Sequence, residues 1–115
     1  MLTSELQEKR VAEMGEHFVT NMYRRLTDVG CRSAAGRLAQ LILELEFRLK
    51  QRMLTRGNVF DFPMRQEHLA DALGLTTVYI NRTLSSFRKG GVIELERQKM
   101  TIRDMGALRA IAEEE

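Results

Sequence analysis

Tryptophan is absent from the sequence, and cysteine and proline occur once each, as Cys31 and Pro63. A single thiol excludes an intrachain disulfide, and with His17 and His68 as the two histidines there is no Cys/His cluster at metal-ligand spacing. Cys31 therefore reads as a buried or surface thiol, since only the neighbouring Arg32 supplies the electropositive setting that a reactive thiolate needs. No apolar run approaches the roughly 20 residues of a membrane span, so no membrane partner is expected. Residues 1 to 20 carry Glu5, Glu8, Glu13 and Glu16 and lack the basic start and continuous apolar stretch of a signal peptide, which points to a cytoplasmic location. No nucleophile with its base, no carboxylate pair and no phosphate loop stands at a distinctive spacing, so neither catalysis, a metal nor a cofactor is expected.

The 115 residues and 13.3 kDa suffice for one ordinary domain with a core, plus an added helix. The hydrophobic share of 43% and charged share of 30% are those of a globular chain. The net charge is only +2, but its distribution is uneven. Residues 65 to 103 hold seven Lys/Arg against four Asp/Glu, a net of +3, whereas residues 104 to 115 hold one against four, a net of −3.

Ser4 and Gln7 have the form of a capping box, and Val11, Met14, Phe18, Met22 and Leu26 then recur every three or four residues. The spacing predicts an amphipathic helix from about residue 4 to 28, some 37 Å long at 1.5 Å per residue. That exceeds what a small domain needs for its own packing, so this stripe is expected to need a partner, and residues 1–29 are treated as a unit apart from 30–115. Ser33 can cap a second helix with Ala35, Leu38, Ala39, Ile42, Leu45 and Leu49 on one stripe and Arg48, Lys50, Arg52 and Arg56 in its last turns. After a Gly57-Asn58 turn, Val59-Phe60-Asp61-Phe62 reads as a short strand closed by Pro63. Val92 to Glu96 and Met100 to Ile102 alternate as the strands of a hairpin with Arg97-Gln98-Lys99 at its tip, and Asp104 caps a last helix from Met105 to Ala112.

Between the strand and the hairpin, Gln66 to Leu73, the turn Gly74-Leu75-Thr76 and the segment from Thr76 to Lys89 form a helix-turn-helix, stopped by Gly90-Gly91. Leu69, Ala72 and Leu73 face inward, small Ala70 admits the second helix, Gly74 supplies the turn conformation, Leu75 plugs the core and Thr76 is the N-cap. On a wheel with Ile80 at zero, Leu84 falls at about 40° and Phe87 at about 340°, which makes these three the buried stripe. Val78 (about 160°), Lys89 (about 180°), Arg82 (about 200°) and Ser85 (about 140°) form the opposite face, with Asn81 (about 100°) as a flank. Such a second helix can enter the major groove of DNA and read bases with its N-terminal half, which nominates Thr77, Val78, Asn81 and Arg82 for base edges. Arg82 suits the O6 and N7 of guanine, Asn81 suits adenine, and Val78 suits a thymine methyl. Arg65, Gln66, Thr76, Ser85, Ser86, Lys89, Arg97 and Lys99 are nominated for phosphates. His68 is placed on the solvent or phosphate side of the first helix of the motif.

Taken in order, Arg32-Ser33-Ala34-Ala35, Arg37-Leu38-Ala39, Phe62-Pro63, Leu69-Ala70-Asp71-Ala72-Leu73-Gly74-Leu75-Thr76, Asn81-Arg82-Thr83-Leu84 and Gly91-Val92-Ile93 resemble the DNA-binding end of the Crp/Fnr family of bacterial transcription regulators. The resemblance implies a sequence-specific regulator, mainly α with a small β-hairpin: a winged helix-turn-helix preceded by a long dimerisation helix. It implies a homodimer on a near-palindromic double-stranded site, with RNA polymerase as a further candidate partner. Three features depart from the family pattern. Val78-Tyr79 stands where many members have Glu-Thr, and Gly36 stands where an acidic residue is usual. The chain also leaves no room for the family's β-barrel sensor, so neither a cyclic-nucleotide pocket nor an iron-sulfur sensor is expected, whether this is a piece of a longer regulator or a short chain. The rival expectation is a protein-interaction module that heterodimerises with a full-length regulator and modulates it.

Overall fold

The computed structural model describes residues 33–113. The segment from residue 4 to 28, with Val11, Met14, Phe18, Met22 and Leu26, lies outside the described residues, as do Cys31 and the last two glutamates. The described elements are helix α1 (Ala34–Gln51), strands β1 (Thr55–Arg56) and β2 (Val59–Asp61), helices α2 (Gln66–Leu73) and α3 (Thr77–Lys89), strands β3 (Ile93–Glu96) and β4 (Lys99–Ile102), and helix α4 (Met105–Ala112).

Helix α1 begins where Ser33 Oγ accepts from the Gly36 N–H at 3.0 Å. Its expected stripe is buried at Leu38, Ala39, Ile42, Leu45 and Leu49, and half-buried at Ala35. Leu41 is also fully buried and Glu46 nearly so, and α4 packs along α1 in the most extensive contact between any two described elements. Leu108 and Ala112 supply the buried face of α4, and Asp104 starts that helix by accepting from the Ala107 N–H at 2.9 Å.

Helices α1, α2 and α3 all stop by one device. The residue just past the helix turns left-handed, and the next N–H reaches back five residues to a free carbonyl. In α2 the left-handed residue is Gly74 (φ 68°), with Leu75 N–H bonding Ala70 O at 2.8 Å. In α3 it is Gly91 (φ 73°), with Val92 N–H bonding Phe87 O at 2.9 Å. In α1 it is Met53 (φ 59°), with Leu54 N–H bonding Leu49 O at 2.9 Å. This stop corrects the expected end of α1: Arg52 is its cap and Arg56 lies in β1, leaving Arg48 and Lys50 as the cations of the last turn. A methionine in place of the usual glycine hides the stop from the sequence.

The expected hairpin is half of a larger sheet. Four antiparallel strands run in the order β1-β2-β4-β3. Phe60 pairs with Thr55 on one side and Met100 on the other, and Leu95 pairs with Met100 from the far edge. Phe60, Met100, Ile102 and Ile93 point into the core beneath α1 and α3, while Val59, Glu94, Glu96 and Lys99 face solvent. Val92 stays outside β3 because its N–H closes α3 and its carbonyl accepts from the Arg103 and Asp104 N–H groups at 2.8 and 3.1 Å. Phe62 lies past the end of β2, yet its N–H bonds Gln98 O at 2.7 Å, so pairing continues to the tip of the β3–β4 hairpin.

Candidate nucleic-acid interface

The helix-turn-helix is fixed from beneath. Leu69, Ala70 and Leu73 of α2 and Ile80, Leu84 and Phe87 of α3 are buried in the common core, while Ala72 and Leu75 are half-buried against it. Thr76 Oγ1 accepts from the Tyr79 N–H at 3.0 Å, so one of the orphan amides at the start of α3 is satisfied and the Thr77 and Val78 amides remain. Arg37 of α1 donates through Nη1 to Leu73 O at 2.8 Å, placing a cation at the C-terminus of α2 and tying α1 to the turn. Thr83, buried beside Ile80 and Leu84, turns its hydroxyl back to donate to Tyr79 O at 2.8 Å.

With its inner stripe held, α3 presents its other side to solvent. Thr77, Val78, Asn81 and Arg82, the four residues nominated for base edges, are all exposed. Val78 is 61% exposed, an apolar surface without a cover among the described residues. Asn81 and Arg82 line an open groove with Ser85, Ser86, Lys89 and Gly90. A second groove runs between α3 and β3, past Ser85, Arg88, Lys89 and Glu94. No hydrogen bond or ion pair holds the Arg82 side chain to another described residue.

The residues nominated for phosphates fall into three groups. Thr76, Ser85, Ser86 and Lys89 lie on α3 or at its start, with Ser85 half-buried and the other three exposed. Arg65 is the N-cap residue of α2, and its side chain does not cap that helix, while Gln66 beside it donates through Nε2 to Asn81 Oδ1 at 3.3 Å. At the hairpin tip the two-residue turn consists of Arg97 (φ 49°) and Gln98 (φ 64°), both left-handed without being glycine. Lys99 is not in that turn but in β4, opposite Glu96, and its ammonium is engaged by the Asp61 carboxylate. Glu94 and Arg103 pair across the same sheet at 2.5 Å.

His68 is not on the solvent side. It is half-buried, and its Nε2 is buried without a hydrogen-bond partner. The wheel did not nominate Arg88 either, although at about 80° it stands beside Asn81, and it lines the groove toward β3. The Gln66–Asn81 bond joins residues fifteen apart in sequence and carries no local sequence signal.

The arrangement offers hydrogen-bond donors, cations and the exposed apolar surface of Val78 and Tyr79 on a helix anchored in the core, the equipment of a surface that reads another molecule. Among the described residues no group of three His, Cys, Asp or Glu side chains could hold a metal ion, and no helix is long and apolar enough to cross a membrane.

Residues 36–111 match the family model of the Crp-like helix-turn-helix domain. Over 77 residues the chain is 34% identical to the transcriptional activator protein FnrL of Cereibacter sphaeroides, covering 64% of this chain and 31% of that protein. Among solved structures it resembles a transcriptional regulator of the Crp/Fnr family from Eubacterium rectale, with a TM-score of 0.54 and 28% identity over 70% of this chain and 33% of that one. Reduced CprK without ligand shares the fold at a TM-score of 0.54 and 18% identity, covering 76% of this chain and 42% of that chain. The chain thus spans about a third of the length of the FnrL relative it matches. With a match that runs from the first turn of α1 to the last turn of α4, this chain belongs to the Crp/Fnr family through its C-terminal Crp-like helix-turn-helix domain.

Proposed function

We propose that this protein is a sequence-specific DNA-binding transcription regulator that inserts α3 into the major groove and acts by binding, not by catalysis. The observation that carries the reading is the two-sided character of α3: Ile80, Leu84 and Phe87 anchor it in the core while Val78, Asn81 and Arg82 stand exposed on the outer face. Arg82 reads guanine and Val78 covers a thymine methyl. Thr76, Ser85 and Lys89, with Arg65 at the start of α2 and Arg97 at the hairpin tip, hold the flanking phosphates. The Thr76 hydroxyl can donate to a phosphate while it accepts from Tyr79, since a hydroxyl does both.

Residues 1–29 form the dimerisation unit in this reading and 30–115 the DNA-binding domain. Two copies then bind a near-palindromic site in the cytoplasm, with RNA polymerase as the partner through which transcription is regulated. The name of the FnrL relative, a transcriptional activator, supports regulation as the purpose of the binding. A fluorescence anisotropy titration on mixed-sequence duplexes at several salt concentrations tests the reading. Log affinity is expected to fall linearly with log salt, by about 0.9 per phosphate neutralised. Affinity that is absent, or independent of salt, removes the DNA-binding function and favours a protein partner for the exposed face of α3.

A further inference from the structure

We infer that Arg37 is a positioning residue for DNA reading: from α1, its guanidinium holds the carbonyl at which α2 ends and so sets the start of α3. The inference rests on the proposed entry of α3 into the major groove. Arg37 Nη1 donates to Leu73 O at 2.8 Å, across 36 positions of sequence. Leu73 is the last residue of α2, and no backbone N–H of a described residue takes its carbonyl, since the Gly74 and Leu75 N–H groups both turn back to Ala70 O. A guanidinium has donors only, so its chemistry fixes the polarity of the bond.

Three residues, Gly74, Leu75 and Thr76, separate that carbonyl from the first residue of α3. Thr76 Oγ1 caps α3 through the Tyr79 N–H at 3.0 Å, and the Thr77 and Val78 amides remain beside it for a phosphate. Ile80, Leu84 and Phe87 keep α3 on the core, but apolar burial is non-directional and leaves small tilts of the helix open. A directional bond on the Leu73 carbonyl closes them. Arg82 lies about 9 Å along the axis from Thr76 at 1.5 Å per residue, so a tilt of about 10° at the turn displaces it by about 1.5 Å. That exceeds the roughly 0.5 Å within which a binding constellation must be held. The contribution to stability is small by comparison. Arg37 is half-buried and its Nε is buried without a partner among the described residues, and an unpaired buried donor offsets what the bond at Nη1 gains. An apolar side chain at this place would serve the fold as well, whereas it would not hold the direction of α3.

The experiment compares the full chain with its Arg37→Met and Arg37→Lys variants. Each is titrated by fluorescence anisotropy, at several salt concentrations, against a duplex selected from a random pool and against a mixed-sequence duplex, and each is unfolded in urea. Sequence-specific binding needs the set position of α3, whereas attraction to the phosphates of mixed DNA does not. Arg37→Met is expected to keep its urea midpoint, its salt slope and its affinity for the mixed duplex. On the selected duplex it should lose about two- to twelvefold, the bias that one hydrogen bond gives an equilibrium, because fewer molecules are then competent to bind. Arg37→Lys keeps the cation without the fork and should lose less. A lowered urea midpoint with both affinities unchanged would overturn the inference and leave Arg37 a helix cap alone. An equal loss on both duplexes with a shallower salt slope would overturn it as well, by making Arg37 a phosphate contact. If circular dichroism shows Arg37→Met unfolded, Arg37→Lys decides: a lowered ratio of selected to mixed affinity supports the inference, and an unchanged ratio refutes it. An unsubstituted protein that binds both duplexes equally would instead defeat DNA reading by α3, and this inference with it.

Discussion

Replacing Arg82 by alanine separates recognition from folding, because the structure gives this side chain no other task. Arg82 is exposed in the second turn of α3, and its side chain has no hydrogen bond or ion pair among the described residues. Alanine is the better helix former, and substitutions at such surface positions change stability by less than about 0.5 kcal/mol. A loss of discrimination therefore cannot come from unfolding. If the guanidinium donates two bonds to guanine O6 and N7, its removal costs about 1–3 kcal/mol at one base pair. At about 1.4 kcal/mol per factor of ten, the ratio of affinities for the matched and the singly substituted duplex falls by about 5- to 150-fold. The assay is anisotropy with a panel of duplexes at several salt concentrations, and all other base pairs should keep their ratios. The alternative, a phosphate contact, lowers affinity evenly across the panel and makes the salt slope shallower by about one. An even loss with the ratios intact would refute the assignment of Arg82 to a base.

Other expected outcomes follow from particular contacts. Met53→Gly should raise stability by about 0.5–1 kcal/mol in urea denaturation, since a left-handed residue with a Cβ carries about 1–2 kcal/mol of strain that the entropy of the unfolded glycine only partly offsets; Met53 is 91% exposed and has little packing to lose. Thr76→Ala should lower stability by about 1 kcal/mol by freeing the Tyr79 N–H, and an unchanged urea midpoint would count against the cap. Arg97→Ala should weaken DNA binding more than Lys99→Ala, because Lys99 is held by Asp61; equal losses in the same titration would contradict that ordering. Deleting residues 1–28 should leave the helical circular dichroism of the remaining domain and abolish the dimer, and a dimer of the shortened chain in analytical ultracentrifugation would overturn the role given to Val11, Met14, Phe18, Met22 and Leu26.

What the sequence made legible was whatever is written within a few residues. The caps at Ser33, Thr76 and Asp104 each bond an N–H three residues on, and the stripe Ile80, Leu84 and Phe87 repeats at the helical period, so all of these were readable. Gly74 and Gly91 announced two helix stops, whereas Met53 makes the same stop without a signal and carried the expected α1 too far. Strand β1 has two residues, too few for an alternation, and it exists because Thr55 and Arg56 pair with Phe60 and Val59 after that stop. Leu41 is buried along with the expected stripe, about 40° from Leu45 on the helical wheel, and belongs to the same apolar face. In the site, the outer face of α3 followed from helical geometry, but the Gln66–Asn81 and Lys99–Asp61 contacts join residues 15 and 38 apart. They depend on how elements meet in space, and no local spacing encodes them.

Selection of bound sequences from a random duplex pool probes DNA reading by α3 in one experiment, because it reports DNA binding, symmetry and half-site identity together. An enriched, near-palindromic motif is expected, with half-sites about 34 Å apart centre to centre, and with a guanine that Arg82→Ala no longer selects. A pool left unenriched, or a motif without twofold symmetry that Arg82→Ala selects as well as the unsubstituted protein, would contradict it.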